Sequence, residues 1–111
     1  MRFLYWNASG LKKGSSVASA NAQAKADWLL SYLGRAGAFC LGMQETHCDG
    51  LDDFPQAMRD ICDLYTVIHS PPMPGDPYAG VALVISREFQ VEPERVMLGG
   101  RVLVTRVTSV L

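Results

Sequence analysis

The stretch Phe39-Cys-Leu-Gly-Met-Gln-Glu-Thr-His-Cys48 decides how the chain is read. A run of mostly apolar residues ends abruptly in Gln44, Glu45, Thr46 and His47. An apolar run of this length, preceded by Gly37 and followed by polar residues, predicts a buried strand. A carboxylate at the mouth of such a strand suits a hard metal ion. It is equally the first solvated residue that any core strand needs, so both readings of Glu45 stand at this point.

Arg2 to Asn7 predicts a first strand, and its consecutive Phe3, Leu4, Tyr5 and Trp6 predict that both faces are covered. Ser9 to Ser16 reads as a loop. A helix is expected from about Ala18 to Leu33, with Ala24, Trp28 and Tyr32 as its core stripe and Leu29 and Leu33 beside them. Gly34 and Gly37 are expected to end it. The second strand, Ala38 to Gln44, follows at once. Strand, helix and strand make a right-handed βαβ unit with parallel strands. Both strands then end at one edge of the sheet, and Asn7 and Glu45 can converge there. Ligands in α/β sheets collect at that edge.

Asp52 to Cys62 predicts a short second helix, with Phe54, Met58 and Ile61 apolar and Pro55 in its first turn. Leu64 to Ile68 predicts a strand. Ser70 to Pro77 holds four prolines and a glycine and must be a loop, either functional or a connection. Ala79 to Ser86 predicts a strong strand. Gln90 to Met97 and Val102 to Thr108 predict a hairpin turning at Gly99-Gly100. The last residues, Val102 to Leu111, still follow an apolar strand pattern, so the sequence reads as a chain cut inside a domain.

The 111 residues, 49% hydrophobic and 19% charged, suit one small globular domain. No apolar run approaches the roughly 20 residues of a membrane span. A net charge of −1 excludes a strongly basic nucleic-acid binder, though not a local basic patch. Lys12-Lys13 is the one adjacent basic pair and reads as a solvated loop. Cys40, Cys48 and Cys62 are odd in number and lack CxxC spacing. With an N-terminus too soon polar for a signal peptide, they favour reduced thiols in an intracellular, nuclear or cytoplasmic protein. A zinc site from Cys40, His47 and Cys48 matches no finger spacing, and Cys40 should face the core.

Four segments, in order, resemble the endonuclease/exonuclease/phosphatase superfamily. Arg2-Phe-Leu-Tyr-Trp-Asn-Ala-Ser-Gly-Leu11 resembles its opening strand, and Cys40-Leu-Gly-Met-Gln-Glu-Thr-His47 its Leu-Gln-Glu-Thr motif. Ala79-Gly-Val-Ala-Leu-Val-Ile-Ser86 and Gly100-Arg-Val-Leu-Val-Thr-Arg106 are similar to the next two strands. Abasic-site endonucleases and the endonuclease domains of LINE-type retrotransposons are the nearest branches. The resemblance implies an α/β fold (α+β in some schemes). It would be the N-terminal half of a four-layer α/β-β/α sandwich, a mixed sheet with helices on its outer face. It implies a Mg²⁺-dependent phosphodiesterase, with Mn²⁺ as a substitute, acting on nucleic acid with DNA ahead of RNA.

By the same resemblance Glu45 is the metal-binding carboxylate and Asn7 stands beside it, at the metal or the scissile phosphate. His47 occupies a position where the superfamily often has Lys. It reads either as a phosphate contact or as a solvent-facing residue. Tyr78 is a candidate for lining the substrate groove, and Gly80 is expected to serve close packing. The later motifs, an Asp-x-Asn and a terminal Ser-Asp-His, are not in this sequence. The expected general base and catalytic His are therefore missing, and the 111 residues are expected to be inactive alone. Related RNA exonucleases and phosphatases share the opening motifs. A non-catalytic α/β binding or scaffold module is the alternative class.

Overall fold

The structure, a computed structural model, describes residues 3–11, 16–37, 39–60, 64–76 and 79–109. The expectations placed on Lys12-Lys13, Ile61, Cys62, Tyr78 and the last two residues lie outside them. In chain order the elements are β1 (Phe3–Asn7), α1 (Ser16–Ala36), β2 (Cys40–Gln44), a 3-10 turn (Leu51–Asp53) and α2 (Gln56–Asp60). Then come β3 (Tyr65–Ser70), β4 (Val81–Ser86), β5 (Phe89–Leu98) and β6 (Val102–Ser109).

Strands β1 to β4 form one mixed sheet in the order β1-β2-β4-β3. β1 and β2 are parallel and adjacent, joined by α1, while β4 runs antiparallel to β2 and β3. β5 and β6 form a separate antiparallel ribbon turning at Gly99-Gly100. Its register shifts between Val91 and Arg95, across Pro93, which has no N–H to give to the ladder. The α/β architecture, with a mixed sheet and helices, is as the sequence predicts.

Side-chain alternation splits the core into two layers. Leu41 and Met43 of β2, with Ala82 and Val84 of β4, face the helices and join Leu29, Leu33, Phe54 and Met58. Cys40, Ile68 and Ile85 face the other way, toward Phe89, Val91, Leu103 and Val107 of the ribbon. Burial of each large apolar side chain contributes roughly 1.5–3 kcal/mol. Among the described residues no helix is long and apolar enough to cross a membrane.

Four expectations are corrected. The buried stripe of α1 is Ala22, Ala26, Leu29 and Leu33, whereas Trp28 and Tyr32 are 55% and 41% exposed. The two aromatics stack on each other, with ring centroids 5.4 Å apart, while Ala26, Leu29 and Leu33 share the core with Leu41 and Met43 of β2. Gly34 lies inside α1; Gly37, with φ of +63°, follows its end. β1 is an edge strand covered on one face only, its Phe3 and Tyr5 being 56% and 66% exposed. Their rings lie over Gly42, where a β-carbon would stand 3.3 Å from Tyr5 and 3.4 Å from Phe3. The predicted second helix is broken into the 3-10 turn and α2, and Pro55, between them, offers its carbonyl to Met58 and Arg59.

The proline-rich segment after β3 is pinned at its base to the ribbon's turn. Gly80 N donates to Gly100 O at 2.9 Å, and Gly100 N donates to Ser70 Oγ at 3.2 Å. Arg101 grips Asp76 with two nitrogens, at 2.7 to 3.0 Å. Being solvent-exposed, that ion pair contributes about 1 kcal/mol at most.

Candidate functional site

Parallel pairing sets Asn7 opposite Gln44, so the next residue, Glu45, leaves the sheet beside the end of β1. The pairing continues past the strands. Ala8 N donates to Gln44 O at 2.9 Å, Gly10 N to Glu45 O at 2.8 Å and Leu11 N to Thr46 O at 2.8 Å. From the opposite side, Thr46 N donates to Gly80 O and His47 N to Ala79 O, at 3.1 and 2.9 Å. The Glu45–His47 segment is therefore clamped between two loops.

This clamping imposes unusual backbone. Glu45 and His47 have φ of 55° and 60°, and Ser9 has φ of 49°. L-residues rarely occupy that left-handed region, at a cost on the order of 1–3 kcal/mol each. Such conformations persist where surrounding bonds enforce them, and here the clamp does so.

The two predicted residues meet. Asn7 donates from Nδ2 to Glu45 Oε2. The Asn7 carboxamide oxygen accepts from Ser9 N at 3.0 Å, a local turn that fixes which end of the amide faces the carboxylate. Asn7 is exposed and Glu45 half-buried, so the pair opens to solvent at the sheet's edge. Beside it, Tyr5 donates its hydroxyl to Gln44 Oε1 at 2.6 Å.

His47 is half-buried, with its ring over Gly10, where a β-carbon would come 2.8 Å from Nδ1. It thus adjoins the loop that carries Asn7. Gly80 keeps φ of +112°, and its missing side chain makes room for the Thr46 hydroxyl.

Two further groups were not singled out from the sequence. The buried Thr46 hydroxyl lies 3.1 Å from His69 Nε2 on β3. Burial holds the His69 pKa below its ordinary value, against the opposing pull of Asp53 and Asp49. Lys25 of α1 reaches the loop after β1, where its ammonium donates to the carbonyls of Ala8, Ser9 and Gly10. A hint was present: Lys25 is the one charged residue in the run from Ser16 to Ala26.

As a donor set, the site offers one carboxylate whose second partner, Asn7, presents N–H rather than oxygen. Among the described residues no three His, Cys, Asp or Glu side chains converge. Such a set fits Mg²⁺, which takes one or two carboxylates, keeps several waters and completes its shell with substrate oxygens. Glu45 would hold the ion, and Asn7 would orient Glu45.

No protein-family model matches the chain, and no curated protein matches it. Among solved structures the chain is similar to the crystal structure of TDP2 from C. elegans, with a TM-score of 0.56 over 85% of this chain at 17% identity. The match spans 25% of the TDP2 chain, so the likeness is one of fold over a quarter of that protein.

Proposed function

We propose that this chain supplies the metal-side part of a phosphodiesterase active site of the endonuclease/exonuclease/phosphatase superfamily. Its substrate class is a nucleic-acid backbone, DNA ahead of RNA, and the reaction is attack of water on a phosphodiester. The observation that carries the reading is the Asn7–Glu45 hydrogen bond at the carboxyl edge of two parallel strands. The fold shared with TDP2 supports it.

In this reading Glu45 holds Mg²⁺, or Mn²⁺ in its place. When bound, the ion would polarise a phosphoryl oxygen and neutralise developing charge. Asn7 fixes the carboxylate through Oε2 and leaves its other lone pairs to the ligand. The clamp on Glu45–His47 keeps the carboxylate in place, which a metal ligand requires. His47, over Gly10, is the candidate for approaching a substrate phosphate.

The test is a Mn²⁺ titration of the chain followed by electron paramagnetic resonance, with Mg²⁺ as competitor. Saturable binding that Glu45→Gln abolishes and Asn7→Leu weakens is the expected result. Equal behaviour of wild type and Glu45→Gln would instead support a non-catalytic α/β module in which Glu45 is only a strand terminus.

A further inference from the structure

We infer that Lys25 is a positioning residue for the Asn7–Glu45 site, acting through three successive peptide planes. This rests on reading Asn7 and Glu45 as the site. The Lys25 ammonium donates to Ala8 O, Ser9 O and Gly10 O at 3.1, 3.0 and 3.1 Å. An ammonium has three donors, and all three are used. Lys25 is therefore a half-buried cation held by the loop and not a free contact for phosphate.

Each of those carbonyls shares a peptide plane with an amide that serves the site. A trans peptide points its C=O and N–H in opposite directions. The plane that offers Ala8 O to Lys25 offers Ser9 N to Asn7 Oδ1 at 3.0 Å. The next offers Ser9 O to Lys25 and Gly10 N to Glu45 O at 2.8 Å. The third offers Gly10 O to Lys25 and Leu11 N to Thr46 O at 2.8 Å.

Three successive carbonyls can meet one cation only where the backbone curls tightly. Ser9 at φ of 49° and Gly10 at φ of 97° supply that curl. The cation also polarises each peptide and strengthens the N–H on its far side. Lys25 thereby sets both the orientation of the Asn7 carboxamide and the path of the Glu45 backbone.

Lys25→Met keeps the aliphatic stem and removes the donors, while Lys25→Arg keeps a cation. Two readouts are compared on the metal-free chain: NMR exchange of the Ser9, Gly10 and Leu11 amides, and the Asn7 side-chain amide signals. Mn²⁺ affinity is then measured. Lys25→Met should speed exchange at the three amides by about tenfold, shift the Asn7 signals and weaken Mn²⁺ binding by about tenfold. Lys25→Arg should recover part of each. Unchanged Asn7 signals in Lys25→Met overturn the inference. So does lost amide protection with unchanged Mn²⁺ affinity, which would mark the lysine as a structural clip. If the wild type binds no Mn²⁺, the reading of the site fails, and the Asn7 signals alone decide the role of Lys25.

Discussion

A methyl group on Gly80 would stand 2.1 Å from the Thr46 hydroxyl, so the two residues fit only because one has no side chain. Gly80 also holds φ of +112° and accepts from Thr46 N at 3.1 Å. Gly80→Ala therefore combines backbone strain with overlap in a packed site. The expected loss is about 2–4 kcal/mol, read by urea unfolding. A loss below 1 kcal/mol, on the order of a surface substitution, would contradict this packing.

Asn7→Asp replaces an amide donor with a second carboxylate against Glu45. Like charges at hydrogen-bond distance disfavour the ionised pair. In chelator, the variant should melt below wild type. Added Mg²⁺ should close the gap or reverse it, as a cation between the two carboxylates relieves their repulsion. A melting difference indifferent to Mg²⁺ would argue against a cation site here.

The two faces of α1 should answer differently to alanine. Leu29 is 2% exposed and packs in the core, so Leu29→Ala should cost about 2–5 kcal/mol. Trp28 is the larger side chain but is exposed and stacked on the equally surface-lying Tyr32, so Trp28→Ala should cost about 1 kcal/mol. Denaturant midpoints in the opposite order would restore the aromatic face to the core.

His69 should make stability sensitive to acid. Its folded-state pKa lies below the ordinary 6.5 because burial disfavours the charged ring. The unfolded chain then binds a proton that the folded chain refuses, so stability is full above about pH 6.5 and falls as pH drops toward the folded pKa. Thr46, Phe54, Asp49 and Asp53 are the groups acting on the ring. Melting curves from pH 8 to pH 5 should fall more steeply for wild type than for His69→Gln. Parallel curves would remove His69 from this role.

Burial also raises the Cys40 thiol to about 11. At pH 8 its thiolate is about a hundredfold scarcer than that of an ordinary thiol. Mass spectrometry after brief iodoacetamide treatment should find Cys40 unmodified in the folded chain and modified in urea. Prompt labelling of the native chain would contradict the burial.

The meeting of Asn7 and Glu45 was legible because it follows from topology: two parallel strands joined by a helix must end at one edge. The turn at Gly99-Gly100 and the packing role of Gly80 were legible for similar reasons, since glycine marks backbone that other residues avoid. The face of α1 was not. Ala24-Trp28-Tyr32 and Ala22-Ala26-Leu29-Leu33 both repeat at helical spacing, and the choice is settled by which row meets Leu41 and Met43 in the core. The open face of β1 depends on its edge position, which a run of large side chains does not reveal. Lys25 was hidden because its partners are backbone carbonyls, which every residue possesses. The Thr46–His69 contact joins residues 23 positions apart through strand pairing that local patterns do not encode.

Asn7 and Glu45 lie 38 positions apart and are tied directly. Parallel neighbours cannot zip from a tight turn; the whole crossover must close before the first rung forms. The carboxylate and its amide partner therefore remain strangers until the crossover that carries α1 has closed. On the proposed role of Glu45, cation binding becomes a clock for the closing of the βαβ unit: a stopped-flow Mn²⁺ signal should rise with that closure and not with the formation of the β5–β6 ribbon, whose strands are contiguous in the chain.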